Sequence, residues 1–229
     1  MTTLLAIETS TELASVALMT GDSMISRELS GVQTHSQGIL PAIQALLLDA
    51  GITLQQCDAI AFGCGPGAFT GVRTACGIVQ GLAFGAELPV LPIISLYAMA
   101  EAARQLSDAT DFVCVLDARM EEVYWAQYRY ADGKWSELVA PVLSKAADID
   151  VVPQTDNLVY ALGHGVVLGQ LDKTHRQVLC MPHARQVATL AIRNFDAGLC
   201  LDAAQAQPLY LRNKIALTTA ERQQLKEAV

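Results

Sequence analysis

The stretch Gly63-Cys64-Gly65-Pro66-Gly67-Ala68-Phe69-Thr70-Gly71-Val72-Arg73 constrains this chain more than any other. It follows an apolar run, Asp58-Ala59-Ile60-Ala61-Phe62, with the character of a buried strand, and it opens a long helical pattern. A glycine-rich strand-to-helix turn lets backbone N–H groups approach an anion at a helix N-terminus. Two standard forms of such a loop do not fit. A Walker loop ends in Gly-Lys-Ser/Thr, and no Lys precedes Lys134. The dinucleotide fingerprint matches at Gly63, Gly65 and Ala68, but it wants an acid at the end of the next strand, which here runs into Ser95-Leu96. Pro66 also removes one donor. A tight structural turn capped by Thr70 and an anion site therefore both stay open. Arg73, a cation in the first turn, opposes the helix dipole and calls for a negative partner, either a ligand or an acid such as Glu8.

At 229 residues and 52% hydrophobic, the chain can bury a substantial core. Its apolar segments are short and interrupted, none approaching a membrane span, and no basic leader precedes the first strand pattern. The six Cys, at 57, 64, 76, 114, 180 and 200, form no Cys-x-x-Cys pair and no zinc spacing; they are expected as buried thiols of a cytoplasmic protein. The net charge of −8, with basic residues scattered, excludes the usual basic face of an autonomous nucleic-acid binder. If the chain works on RNA, a partner does the holding.

The pattern predicts strands at 4–8, 14–19 and up to 30, around a Gly21-Asp22 turn. A helix follows over 36–50, with apolar residues Ile39, Leu40, Ile43, Leu46 and Leu47. Strand 58–62, the glycine loop, helix 70–86, strand 88–94 and a helix over 95–106 with Ser95 as N-cap complete a first unit. A similar order recurs: strands at 112–117 and 122–130, a turn at Asp132-Gly133, a third strand near Trp135, a weak helical stretch, strands at 158–162 and 178–181, and a helix over 183–198. Two mixed-sheet halves, each opening with a meander, resemble a duplicated ribonuclease-H-like α/β architecture, the ASKHA fold of actin, sugar kinases and Hsp70. The expected units are 1–106, joined by 207–229, and a smaller 107–206.

Proteins of that superfamily grip phosphate with Asp-x-Gly-Thr/Ser after the first strand. Here the turn is Glu8-Thr9-Ser10-Thr11, with a longer acid and no glycine, which leaves less room for a phosphate. Helix 70–86 carries Gly77, Gly81 and Gly85 at four-residue spacing, each costing about 1 kcal/mol against Ala in a helix interior. Something must come close to that stripe. Packing against the chain's own sheet and docking of a second protein's helix are the two readings, and the surplus of apolar residues on helix 36–50 favours docking. His35, His164, His175 and His183 show no metal-ligand spacing, and no Gly-x-Ser-x-Gly elbow is present. Asp117-Ala118-Arg119 with Glu121-Glu122 places acids at a strand end, either at a site or in a solvated turn with a local ion pair.

Several segments converge on one family. Leu5-Ala6-Ile7-Glu8-Thr9-Ser10, His35-Ser36-Gln37 with Leu40-Pro41, Gly65-Pro66-Gly67-Ala68-Phe69-Thr70-Gly71-Val72-Arg73, Asp117-Ala118-Arg119 with Glu122-Val123-Tyr124-Trp125-Ala126, and Pro208-Leu209-Tyr210-Leu211-Arg212-Asn213 resemble the TsaB (YeaZ) family of tRNA threonylcarbamoyladenosine biosynthesis. The family pattern has Asp at Glu8, often Ser at Ala68 and a basic or polar residue at Cys64. The resemblance implies a non-catalytic relative of the metal-bearing transferase subunit TsaD. It implies pairing with a TsaD-like subunit through the N-terminal helices, a TsaE-like ATPase joining them, a homodimer through the same surface when alone, and only indirect contact with tRNA. The expected interface comprises His35, Ile39, Leu40, Ile43, Leu47, Thr74, Gly77, Ile78, Gly81, Leu82 and Gly85. Vestigial nucleotide contacts would be Glu8, Thr9, Ser10, Gly65, Gly67, Thr70, Gly71 and Arg73. No metal or cofactor is required, with ATP or ADP held weakly or at the joint interface. The alternatives are a small-molecule kinase or ATPase of the same fold and a metal-dependent, glycoprotease-like peptidase.

Overall fold

Leu5 and Ile7 point to one side of the first strand, β1 (Thr3–Glu8), and Leu4 and Ala6 to the other. All four are 0% exposed, so β1 is covered on both faces and belongs at the centre of a sheet. The computed structural model, which describes residues 1–29, 35–152, 157–168 and 176–212, has that arrangement. Antiparallel β2 (Ala14–Thr20) and β3 (Ser23–Leu29) extend the sheet on one side, and parallel β4 (Ala59–Gly65) and β5 (Val90–Ile94) extend it on the other. The order is β3-β2-β1-β4-β5, with Gly21 at φ 57° in the predicted β2–β3 turn.

The second sheet repeats the plan. Central β6 (Asp111–Arg119) has antiparallel β7 (Glu122–Ala131) and β8 (Lys134–Lys145) on one side, and parallel β9 (Leu158–Leu162) then β10 (Arg176–Leu179) on the other. Its order, β10-β9-β6-β7-β8, matches the first when strands are counted within each half, which is the duplicated ribonuclease-H-like pattern. The Asp132-Gly133 turn has both residues at positive φ, 51° and 74°, as a tight two-residue hairpin requires.

Among the described residues four α-helices fill the layers: α1 (His35–Ala50), α2 (Phe69–Ala86), α3 (Ser95–Leu106) and α4 (Ala184–Asp196). Ile39, Ile43 and Leu46 of α1 and Ala75, Val79 and Ala83 of α2 pack on the Leu5 and Ile7 face. The opposite face, Leu4, Ala6 and Ala17, is covered by Ala184, Val187, Ala188 and Ala191 of α4. Leu96, Met99 and Ala103 of α3 lie on Phe112, Cys114 and Ala126 of the second sheet. A layer of α3 and α4 thus separates the sheets. Trp135 seals one edge, its ring 5.5 Å from those of Tyr97 and Phe112 and 5.0 Å from Tyr130, with Nε1 donating to buried Glu101 at 3.0 Å.

The expected second unit, 107–206, is narrower in space. Helix α4 lies on the first sheet, Leu201 bridges Val90, and Ala206 is buried in the first core. The reason is the apolar stripe Val187, Leu190 and Ala191, which fits the sheet face that α1 and α2 leave bare. The weak helical stretch after Trp135 is instead a long strand, β8, ending in a single 3₁₀ turn at Ala146–Asp148. Among the described residues no helix is long and apolar enough to cross a membrane.

Candidate functional site

The turn after β1 and the glycine loop after β4 are zipped together by their own backbones. Ala68 N–H donates to the carbonyl of Ser10 at 2.6 Å, and Thr9 Oγ1 donates to the carbonyl of Gly71 at 2.7 Å. A β-carbon at Gly67 would collide with the Ser10 carbonyl, and one at Gly71 with the Thr9 carbonyl. These glycines admit a neighbouring turn of the same chain, so the tight-turn reading describes the loop. The caps differ from expectation: Ala68 is the N-cap of α2 and Ile94 that of α3, neither with a side-chain cap bond. Thr70 lies inside the first turn of α2, where its carbonyl accepts from Thr74 Oγ1 at 2.9 Å.

Ser95 acts on Glu8 instead of capping α3. Its hydroxyl donates to Glu8 Oε2 at 2.9 Å and accepts from Gly65 N–H at 3.2 Å, while Ser10 N–H donates to Glu8 Oε1 at 2.6 Å. Glu8 is 0% exposed, and burial pushes its carboxyl above the ordinary range, with the hydrogen bonds from Ser10, Ser95 and Thr9 opposing. It is a sealed structural pin facing the β1–β4–α3 junction.

Arg73 meets neither Glu8 nor another acid in the contacts it makes here. Its guanidinium lies 3.7 Å from the centre of the Phe69 ring, and Nε donates to Tyr210 Oη at 2.6 Å. Tyr210 in turn sits against Phe69, ring centres 5.8 Å apart. An aromatic face and a phenol oxygen thus meet the cation, where the sequence calls for a ligand or an acid such as Glu8.

Between the halves opens a cleft of about 970 Å³, lined by the tips of both sheets and the first turn of α2. Of the expected nucleotide contacts, Ser10, Gly67, Thr70 and Gly71 reach it; Glu8, Thr9, Gly65 and Arg73 do not. Opposite stand Asp117, Arg119, Met120, His164 and Arg212. Around it Asp117 pairs with Arg119 at 2.9 Å and Glu122 with Arg212 at 2.6 Å, and Glu12 Oε1 lies 2.8 Å from His164 Nδ1. The Asp117 cluster is therefore a solvated turn with its own ion pair. Cys57, Cys64 and Cys180 are poor candidates for a nucleophile, because burial pushes Cys64 and Cys180 up to about 12 and Cys57 to about 11. Among the described residues no three His, Cys, Asp or Glu side chains gather so as to hold a metal ion.

The outer face of α1 and α2 is of another kind. At Gly77, Gly81 and Gly85 an added β-carbon would meet no atom within 4 Å, so the stripe opens away from the protein. Packing against the chain's own sheet is ruled out as its cause. On the same helix Phe84 is 82% exposed, and on α1 Leu48 is 78% and Leu40 47% exposed. Ile39 and Ile43, expected at this surface, are 0% and 3% exposed and belong to the core, since α1 lies over β2 and β3 and turns them onto the sheet. Leu47, Ile78 and Leu82 are partly buried against that core, and Thr74 is half-buried at the cleft. His35 begins α1, but its side chain, like His175 and Asn213, lies outside the described residues. Leu48 and Phe84 were missed, although Leu46-Leu47-Leu48 cannot all face inward and Leu40, Gln44 and Leu48 form one i, i+4, i+8 row.

Residues 25–218 match the family model described as TsaD, tRNA N6-adenosine threonylcarbamoyltransferase. The chain is 40% identical to the tRNA threonylcarbamoyladenosine biosynthesis protein TsaB of Haemophilus influenzae, over 93% of this chain and 94% of that one. It is 37% identical to TsaB of Escherichia coli, over 93% and 96%. The crystal structure of YeaZ from Pseudomonas aeruginosa superposes with a TM-score of 0.85 at 37% identity, covering 92% of this chain and 100% of that one. With the duplicated fold, the Gly-Pro-Gly-Ala-Phe-Thr-Gly-Val-Arg loop and near full-length identity in agreement, the chain belongs to the TsaB (YeaZ) family of tRNA threonylcarbamoyladenosine biosynthesis proteins.

Proposed function

We propose that this chain is a non-catalytic docking subunit of the assembly that forms N6-threonylcarbamoyladenosine in tRNA. The outer face of α1 and α2 receives a TsaD-like catalytic subunit, a TsaE-like ATPase joins the pair, and in isolation two copies use the same face on each other. The observation that carries this reading is the solvent-open stripe Gly77, Gly81 and Gly85 of α2, together with exposed Phe84 on the same helix and exposed Leu40 and Leu48 on α1. Glycines in an exposed helix face weaken the helix without serving the interior. What they provide is a groove into which a facing helix can sink close to the backbone, with large apolar side chains at its rim.

The loops support the same reading from the opposite direction. The N–H of Ala68 is committed to Ser10, the β1 acid is sealed, and the thiols are held protonated. Reacting groups, and the grip on tRNA that a chain of net charge −8 is poorly suited to supply, come from the partner. The test is co-purification and calorimetry with a TsaD-like subunit. A stoichiometric complex that is lost when Gly81 is replaced by Leu supports the proposal; undiminished binding by that variant sinks the assigned face.

A further inference from the structure

We propose that residues 206–212 form a strap that holds the two halves together across the cleft, with Arg212 as its latch. Three successive non-glycine residues at the β6–β7 tip, Arg119, Met120 and Glu121, have φ of 64°, 58° and 62°. Side chains disfavour that conformation, and it persists only where the surroundings impose it. The Arg212 guanidinium supplies much of the constraint. Nη2 donates to the carbonyl of Ala118 at 3.1 Å and pairs with Glu122 at 2.6 Å, and Nη1 meets Met120 Sδ at 3.3 Å. On its own side Asp117 Oδ1 accepts from Arg119 N–H at 2.8 Å.

The other end of the strap belongs to the first half. The carbonyl of Ala206 accepts from Cys76 Sγ at 3.0 Å and Gln80 Nε2 at 2.8 Å. Leu209 N–H donates to the carbonyl of Cys64 at 2.7 Å, and Tyr210 is held by Arg73 and Phe69. Seven residues therefore run from the middle of α2, past its first turn, to the hairpin tip of the other sheet. Arg212 itself lines the cleft they cross. Its side chain is 17% exposed and that of Glu122 31%, so the pair is shielded, whereas Glu12 and His164, also facing each other across the cleft, are 62% and 54% exposed. On the opposite edge the Trp135 cluster gives the halves a fixed seam, which makes the strapped edge the one whose opening is controlled.

Hydrogen exchange on the full-length protein tests this, without reference to any partner. Arg212→Met keeps the aliphatic stem and removes the donors; Glu122→Gln removes only the charge pairing. In Arg212→Met, amides of 117–124 and of the first turn of α2, 69–74, are expected to exchange at least about tenfold faster, while β1 and β4 keep their protection. Glu122→Gln should shift the same two segments less. Loosening confined to 117–124, with 69–74 unchanged, or no change in either variant, overturns the strap. Global loss of protection in Arg212→Met passes the decision to Glu122→Gln, where coupled loosening supports the strap and its absence overturns it.

Discussion

Thr9 Oγ1 donates to the carbonyl of Gly71 at 2.7 Å, joining residues 62 positions apart and closing the turn after β1 onto the first turn of α2. Thr9 is 0% exposed, and no side chain fits between its backbone and Gly71. The glycine loop is thereby turned from an anion cradle into an internal joint. Replacing Gly71 by Ala forces a methyl into the Thr9 carbonyl, a backbone atom that cannot swing aside. The expected cost is about 1–3 kcal/mol, read as a lowered urea midpoint with unchanged slope.

Gly81 separates folding from docking. It lies in a helix interior with open space around it in the single chain, so Gly81→Ala should stabilise the dilute monomer by about 1 kcal/mol. Gly81→Leu should leave the free protein folded yet weaken a TsaD-like partner roughly 10- to 100-fold, because a bulky side chain overfills a close helix contact. Thermal unfolding of the free chain and titration calorimetry of the pair read the two effects independently.

Nucleotide affinity follows from the same joint. With the Ala68 N–H committed to Ser10 and Glu8 walled in by Ser95 and Ser10, neither that loop amide nor the β1 acid is offered to a phosphate in the cleft. Calorimetry of ATP with magnesium against the purified chain should give a Kd weaker than about 1 mM. Micromolar binding with turnover would establish the kinase reading instead.

Element order was legible in the sequence because short apolar runs such as Leu4 to Ile7 mark strands covered on both faces, and apolar residues at helical spacing such as Ala75, Val79 and Ala83 mark helices. The glycine stripe was legible too, since Gly77, Gly81 and Gly85 violate helix propensity without a local reason. What pattern alone could not give were the long-range partners. The sequence calls for a ligand or an acid such as Glu8 beside Arg73, and no pattern points to Tyr210, 137 residues away, which accepts from its Nε. Ile39 and Ile43 were assigned outward because one sequence period does not say which of two apolar faces meets the sheet. The packing of α4 on the first sheet depends on a bare face that exists only once both halves are assembled.

His183 gives the stability an acid limit. Its Nδ1 caps α4 by accepting from Arg185 N–H at 3.0 Å, while Nε2 faces Glu28 at 3.2 Å. Burial lowers the imidazole below its ordinary 6.5, Arg185 adds to this, and Glu28 opposes. The folded state thus prefers the neutral ring, so this contribution is full above the ordinary value and fades as pH falls through the lower folded one. Urea midpoints should drop between about pH 7 and pH 5. In His183→Asn, which retains a capping oxygen, that part of the drop should disappear.

Glu8 works in the opposite direction. Burial raises its carboxyl above the ordinary 4.5, so the folded state holds the proton more tightly than the unfolded chain. Its favourable contribution is present below the ordinary value and lost as pH rises through the folded one, beyond which an ionised carboxylate sits in the core. Glu8→Gln removes the titration while keeping an oxygen for Ser10 N–H and offering an amide donor to Ser95 Oγ. The variant's stability relative to the natural protein should therefore improve as pH rises from the ordinary 4.5 toward the raised folded value. A difference that stays flat across that range, or falls, would mean that Glu8 ionises without penalty. The carboxylate would then be open to a cation or ligand, and the sealed pin assigned here would be wrong.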